Sequence, residues 1–360
     1  MKRLGLGLIC GVALCAAFTS GASAASPCGA DWGFTQPAKS VWLHTTVPSL
    51  QFPSLTYQGI VVRPDPAPHG RQPAVLVMHG KGATQCSVWW AARLLAAHGS
   101  AAQGYVAMTI NNPTNSAWTP TQLIQHHVDA VQSALHFLGS ASNPYASSTN
   151  PADIGLVGHS LGAAAISYVQ ALNPFVKAIV GLDNIRAFHD GDAGAYVHCQ
   201  QPPSGPVTAR APALGEASEA PCTTEGQHHP SASGPDFTDK RLAFKHWRAH
   251  EVASMETVMN GFEHPTFAGL PHPGQPLANA AHAKQLRRAG YYMQVWLDLW
   301  LRHDPTAPPR LLSCTPAGDP IADVLSSKLP GLLDPLGAYQ SSLFLPSIGI
   351  NKDNLLSACP

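Results

Sequence analysis

A serine near the middle of the chain has the neighbours of a catalytic nucleophile. The segment Gly158-His159-Ser160-Leu161-Gly162 matches the pattern G-x-S-x-G, with an apolar run before it and an alanine-rich helical run after it. Serines in this pattern stand on a sharp turn between a strand and a helix, where the glycines allow close approach. The N–H of Leu161 opens the helix and can face a developing oxyanion. The sequence therefore predicts that Ser160 attacks a carbonyl carbon.

A second N–H donor for the oxyanion is expected elsewhere in the chain. In enzymes with such a turn, the loop after an earlier strand supplies it. Here the apolar run 75–78 leads into His79-Gly80-Lys81-Gly82. We expect the backbone N–H of Lys81 to be this donor, while its side chain need take no part.

A serine nucleophile also needs a base, and the chain offers 18 histidines. The base should follow the last strand and precede the closing helix, which is the position of His264. His79 and His159 flank the catalytic loops, and we interpret them as structural. His228 and His229 lie in an insertion with no other metal ligand at convincing spacing. We interpret this pair as solvated loop residues, and we expect neither a metal nor a cofactor.

Three carboxylates compete to orient the imidazole of His264. Glu219 lies just past a strand in APALGEASEA, the usual position of the acid, and the sequence favours it. Glu216 is in the same segment but is expected within the strand. Asp183 ends the preceding strand in IVGLDN and is the main alternative. All three keep the order serine, acid, histidine. The acid holds the correct tautomer of the imidazole and stabilises its cation.

Apolar runs and helical spacings alternate around these residues. The alternation predicts an α/β fold, a mostly parallel sheet with helices on both faces. Residues 305–360 are rich in Pro, Leu and Ser and break the pattern, so we expect an extension packed on the same domain. The predicted strands are 57–64, 74–80, 105–110, 152–158, 176–182, 211–217 and, as the last, 252–259. The predicted helices are 87–99, 119–138, 161–172, 239–249 and 278–301.

The first 24 residues resemble an export signal. Lys2 and Arg3 precede the apolar stretch 4–18, and Ala22-Ser23-Ala24 fits a cleavage site. The stretch is short and glycine-rich for a membrane anchor. We expect cleavage after Ala24 and export of the remaining chain to the periplasm or the medium.

The cysteines support export. Cys10 and Cys15 lie in the signal, so six of the eight cysteines remain. An even number in an exported chain indicates disulfides but does not fix their pairing. We favour a bond between Cys199 and Cys222, which would close an inserted loop, and a bond between Cys314 and Cys359 in the C-terminal tail. The two remaining cysteines, Cys28 and Cys86, then form the third pair.

The composition excludes some classes of function. Lys plus Arg and Asp plus Glu are 21 each, so no basic field exists to hold a nucleic-acid backbone. Hydrophobic residues make up 45% of the chain, enough to bury a sizeable core. After the export signal, no segment approaches the roughly 20 apolar residues that a membrane helix needs. We therefore expect a folded chain with no nucleic-acid partner and no membrane span.

Together the motifs resemble secreted bacterial α/β-hydrolases of the dienelactone-hydrolase and cutinase-like type, which include polyester hydrolases and platelet-activating-factor acetylhydrolase-like enzymes. The resemblance runs from about residue 57 to 314 and is carried by HGKGATQCSVWWAARLLAAHG, GHSLGAAA, NPFVKAIVGLDN, PALGEASE and NGFEHPTFA. It implies an α/β-hydrolase domain at 25–304 and a monomeric serine esterase acting on small-molecule or polymeric esters. The alternatives are an acyltransferase with the same triad and a non-catalytic binding protein of the same fold.

The chain departs from the cutinase-like pattern at three places. Glu219 stands where those enzymes have Asp, and Lys81 stands where an aromatic residue follows the oxyanion-loop glycine. Asp183-Asn184-Ile185 lies near the position of a tryptophan that stacks on aromatic esters in polyester hydrolases. The resemblance therefore implies ester hydrolysis in general rather than polyester hydrolysis in particular.

Overall fold

The computed structural model describes residues 26–29, 39–99, 104–112, 118–183, 185, 207–218, 242–259, 262–269, 280–312 and 341–352. Strands and α-helices in these ranges are numbered in chain order. The strands are β1 (Lys39–Pro48), β2 (Thr56–Asp65), β3 (Gln72–Met78), β4 (Val106–Asn111), β5 (Thr149–His159), β6 (Val176–Leu182), β7 (Ala213–Ser218), β8 (Ser254–Met259), β9 (Ser341–Leu345) and β10 (Ile350–Lys352). The helices are α1 (Trp89–Ala96), α2 (Pro120–Gly139), α3 (Leu161–Leu172), α4 (Leu242–Ala249), α5 (Ala280–Leu301) and α6 (Ala307–Leu312).

All ten of these strands join one mixed sheet, in the order β1-β2-β4-β3-β5-β6-β7-β8-β9-β10. The six central strands, from β4 to β8 in that order, are parallel to one another. The two strands at each edge are antiparallel additions. The predicted α/β class is confirmed.

Helices cover both faces of the sheet. On one face α1 and α5 form a core with large side chains, among them Trp89, Trp90 and Trp296. On the other face α2, α3 and α4 form a second core, which includes Leu123, Ile166 and Trp247. Because the central strands are buried on both sides, their sequences are continuous apolar runs. Every residue of β3 is buried.

The sheet extends beyond the strands that the sequence predicts. The prediction that 252–259 contains the last strand is wrong, because the C-terminal extension adds β9 beside β8, with Ser254 opposite Phe344. The sequence analysis also missed β1, which pairs with β2 over its whole length. β1 is a partly exposed antiparallel edge strand, where polar and apolar residues can mix, whereas Ser342–Leu345 of β9 are buried. Among the described helices, none is long and apolar enough to cross a bilayer.

The structure contains one of the three disulfides proposed from the sequence. Cys28 and Cys86 are bonded, which ties residues 26–29 to the turn before α1. The other four cysteines in those pairs, and the export signal 1–24, lie outside the described residues.

Candidate active site

The predicted site residues follow neighbouring strands of the sheet. Ser160 follows β5, Asp183 follows β6, and Gly80 lies two residues after β3. His264 follows β8 after a short connection. Because these strands are parallel, their carboxyl ends meet at one edge, where ligands bind in open α/β sheets. The sheet therefore gathers the predicted nucleophile, base and oxyanion loop and the alternative acid from four separate parts of the chain.

Ser160 stands alone between β5 and α3, in a backbone conformation that few residues adopt. Its φ is 55° and its ψ is −117°. Positive φ in a residue with a Cβ is strained and persists only where the surroundings enforce it. Here the N–H of Ser160 donates to the carbonyl of Leu182 at 3.2 Å, and the N–H of Ala164 donates to the carbonyl of Ser160 at 3.2 Å. The turn is thus held both by the neighbouring strand and by the helix.

Two glycines make this turn possible. A Cβ on Gly158 would lie 2.5 Å from the backbone of Gly162, where no atom fits. A Cβ on Gly162 would lie 2.5 Å from the carbonyl oxygen of Met78 and 2.6 Å from that of His79. The close approach of β5, α3 and the end of β3 therefore requires both glycines of the predicted motif.

His264 contacts a carboxylate, and that carboxylate belongs to Asp183. The Nδ1–H of His264 donates to Oδ2 of Asp183. The side chain of Asp183 is 4% exposed, whereas that of His264 is 36% exposed. The acid is therefore buried behind the imidazole, while the imidazole reaches the surface of the site.

Ser218 holds the other oxygen of this carboxylate. Its backbone N–H donates to Oδ1 of Asp183 at 2.9 Å, and its Oγ–H donates to the same oxygen at 2.7 Å. The backbone of Asp183 is fixed as well, since its N–H donates to the carbonyl of Glu216 at 2.8 Å. Donors on both oxygens favour the charged form of the carboxylate and set its plane against the His264 ring.

The two other candidate acids have different outcomes. Glu219, which the sequence favours, lies outside the described residues, one position after the end of β7. Glu216 lies within β7 as expected, and both its carboxyl oxygens are buried. Burial raises the pKa of Glu216 well above its ordinary value, although nearby Arg288 acts in the opposite direction. In the described residues, the carboxylate against His264 is the alternative, Asp183.

The predicted oxyanion loop lies beside Ser160. A Cβ on Gly80 would approach Cβ of Ser160 to 2.8 Å. Lys81 follows with an exposed side chain, and Gly82 adopts a φ of +71° that closes the turn. Leu161 is the first residue of α3, as predicted.

His79 fixes the start of this loop. Burial lowers its pKa to about 4, so the ring is neutral near pH 7. Its Nδ1–H donates to the carbonyl of Gly80 at 2.7 Å, and its Nε2 accepts the N–H of Asn112 at 3.0 Å. The structural interpretation of His79 made from the sequence agrees with these contacts.

Sequence reasoning missed the role of Ser218. No local pattern marks it, because its contact with Asp183 depends on the pairing of β6 with β7. That pairing sets Leu182 opposite Glu216, so the residues just beyond them meet at the edge of the sheet. The signal that could have found Ser218 is a serine at the end of the strand that neighbours the strand of a candidate acid.

No cluster of three or more His, Cys, Asp or Glu in the described ranges could hold a metal ion. No family model matches the chain, and no curated protein matches it significantly. The functional interpretation therefore rests on the geometry around Ser160, His264 and Asp183.

Proposed function

We propose that the protein is a serine hydrolase of carboxylic esters with an α/β-hydrolase fold. In this proposal Ser160 is the nucleophile, His264 the base and Asp183 the acid. The observation that carries it is the buried carboxylate of Asp183 against His264 Nδ1, at the sheet edge where the strained turn presents Ser160. Neither a strained serine nor a buried carboxylate against an imidazole would alone support this reaction as strongly as the two together.

The tautomer of His264 suits a base. Because Asp183 accepts the hydrogen on Nδ1, Nε2 of the neutral ring has a free lone pair. This nitrogen takes the proton of the Ser160 hydroxyl as Oγ bonds to the ester carbonyl carbon. The imidazolium that forms is stabilised by the Asp183 carboxylate, which remains ionised.

The carbonyl oxygen becomes an oxyanion in this step. The backbone N–H groups of Leu161 and Lys81 are the proposed donors to it, and the amino end of α3 adds its positive dipole end. When the tetrahedral intermediate collapses, the ester C–O bond breaks and the alcohol leaves with the proton from His264. Ser160 then carries the acyl group.

Water completes the cycle. His264 removes a proton from a water molecule as the water oxygen attacks the acyl carbon. When this second intermediate collapses, the bond from the acyl carbon to Ser160 Oγ breaks and His264 returns the proton to Oγ, which frees the carboxylic acid. An acyltransferase would pass the same acyl group to an alcohol. Nothing in the described residues favours an alcohol acceptor, so hydrolysis is the proposed reaction.

We also propose that the protein acts outside the cytoplasm. The Cys28–Cys86 bond supports this, because stable disulfides form in oxidising compartments. N-terminal sequencing of the protein from its native host should begin at Ala25. Recovery of the intact N-terminus with Cys28 and Cys86 as free thiols would contradict export.

Turnover of p-nitrophenyl acetate tests the proposed reaction. Ser160→Ala should lower kcat by about a million-fold, as expected for loss of a triad member. The matched control is Ser167→Ala in α3, the helix that follows Ser160, because it removes a buried hydroxyl that donates to the carbonyl of Ala163. The control should keep wild-type kcat. Wild-type turnover in Ser160→Ala would refute the serine mechanism.

A further inference from the structure

His159 lies between the nucleophile and the base, and the proposed reaction gives it no role. It directly precedes Ser160 and is 4% exposed. Its Nε2 lies 3.0 Å from the backbone oxygen of His264, 105 residues further along the chain. The two imidazole rings are 4.7 Å apart between centroids. His159 thus contacts the segment that carries the base.

The direction of this hydrogen bond follows from chemistry. Burial, together with the neighbouring His264, lowers the pKa of His159 to about 3, so the ring is neutral at the pH of most assays. A carbonyl oxygen can only accept a hydrogen bond. The neutral ring therefore carries its hydrogen on Nε2 and donates it to the carbonyl of His264. Its Nδ1 is a bare acceptor, buried without a hydrogen-bond partner.

The same ring also touches the oxyanion loop. A Cβ on Gly80 would lie 3.0 Å from Nδ1 of His159. His159 is therefore packed among the three loops that the reaction needs, which carry the nucleophile, the base and the oxyanion donors. A side chain in this place affects their relative positions without touching the ester.

We propose that His159 is a positioning residue that fixes the backbone of His264 relative to Ser160. This inference rests on the proposed function and adds a residue to it. Asp183 holds only the ring of the base, whereas the bond from His159 holds its main chain. His264 begins a one-turn 3-10 helix after β8, so a tie to the rigid turn at Ser160 keeps Nε2 within reach of the hydroxyl.

A second possibility is that His159 only fills space. His159→Phe separates the two roles, because phenylalanine keeps a flat ring but donates no hydrogen bond. His159→Gln is the converse change, since its amide can still donate to the His264 carbonyl while the ring is lost. A positioning role predicts that Gln is the better replacement, and a packing role predicts that Phe is.

The test measures kcat and KM for p-nitrophenyl acetate, with kcat expressed per site titrated by a fluorophosphonate. Counting titrated sites removes any loss due to unfolded protein. We expect kcat in His159→Phe to fall by about 10- to 100-fold, since misplacing a reacting group by about 1 Å can cost a hundredfold. KM should stay within about twofold, and His159→Gln should recover most of the loss in kcat.

His246→Phe is the matched control. His246 is also buried, and its Nε2–H donates to the carbonyl of Val207 at 2.8 Å. It lies on α4, whose carboxyl end leads to the amino end of β8, at the opposite edge of the sheet from Ser160. This variant loses the same type of bond and should melt at a lower temperature, with kcat per titrated site unchanged.

The outcomes are distinct. Wild-type kcat per site in His159→Phe, or a His159→Gln variant slower than His159→Phe, would overturn the positioning role. An equal loss of kcat in His246→Phe would do the same, because the effect would then be general. A wild-type protein that takes up no fluorophosphonate would instead refute the proposed function itself. If His159→Phe does not fold, His159→Leu takes its place in the same comparison, because leucine also fills space and donates no hydrogen bond.

Discussion

The identity of the acid depends on which carboxylate reaches a single nitrogen atom. Asp183 follows β6 with a φ of 58°, a conformation that Asp tolerates better than most residues. That conformation turns its side chain back toward His264 and toward Ser218 at the end of β7. Glu219 starts one residue beyond Ser218. With Asp183 on Nδ1, the reaction needs no second carboxylate.

Asp183→Asn is therefore the variant expected to lose activity. The amide cannot stabilise the imidazolium and can favour the wrong tautomer, so kcat should fall by up to about ten-thousand-fold. Glu219→Gln and Glu216→Gln should each keep kcat within about threefold. Initial rates with p-nitrophenyl acetate make the comparison. If Glu219→Gln is inactive and Asp183→Asn is active, the acid is Glu219, as the sequence favours, and not Asp183.

At the scale of elements, the sequence predicts well what is local and apolar. The runs that form β3, β5 and β6 are buried on both sides, so their composition alone identifies them. The motif around Ser160 is equally local, since its glycines, strand and helix are contiguous. The strand β9 is different, because its apolar residues lie in a Pro- and Leu-rich stretch and become a strand only by pairing with β8.

The site was harder to predict than the fold for the same reason. His264 is predicted from its order in the chain, which the alternation of elements supplies. The choice between Asp183 and Glu219 depends instead on the register of β6 against β7, a contact between distant segments. No periodicity in either segment encodes that register.

The tight packing of the turn at Ser160 predicts a sharp difference between two glycines. Gly162→Ala should destabilise the protein by about 1–3 kcal/mol, because its Cβ would meet the backbone of Met78 and His79. It should also lower kcat. Gly139→Ala, at the end of α2, is the control, since its Cβ would make an ordinary 3.5 Å contact with Pro151 of β5. Urea unfolding should show equal or higher stability for the control.

Equal stability of the two alanine variants would contradict the packing described for the turn. A loss of kcat in Gly139→Ala as large as in Gly162→Ala would show that the effect does not arise at the nucleophile.

At the scale of the whole molecule, a buried carboxylate far from Ser160 in sequence joins several elements. Asp298 of α5 accepts hydrogen bonds from His98 at 2.7 Å, from Tyr105 at 2.7 Å and from Arg310 at 3.1 Å. His98 follows α1, Tyr105 directly precedes β4, and Arg310 lies on α6. Burial alone would raise the pKa of Asp298, but the hydrogen bonds outweigh burial and lower it.

This lowered pKa makes stability depend on pH. A carboxyl whose pKa is lower in the folded state stabilises that state fully above its unfolded pKa, about 3.8. The contribution is lost as pH falls through the lower, folded pKa. Asp298→Asn should therefore be about 3 kcal/mol less stable than wild type at pH 7. The gap in the free energy of unfolding should narrow as pH falls below 3.8 and through the lower, folded pKa.

Urea unfolding of both proteins across this range measures the gap. Asp304→Asn serves as the control, because Asp304 bonds the same Arg310 but is partly exposed, and its loss should cost about 1 kcal/mol or less. If the difference in the free energy of unfolding between wild type and Asp298→Asn stays constant with pH, the pKa of Asp298 is not lowered in the folded protein.

The central claim, that Ser160 is a nucleophile activated by His264 and Asp183, is tested most directly by locating a fluorophosphonate adduct. The Ser160 oxygen would bond to phosphorus as fluoride leaves, so peptide mass spectrometry should find one phosphonyl group, on the peptide that contains Ser160. Labelling should be slower by orders of magnitude in His264→Ala and Asp183→Asn. Labelling of another residue, or labelling of Ser160 at the wild-type rate in both variants, would contradict the triad.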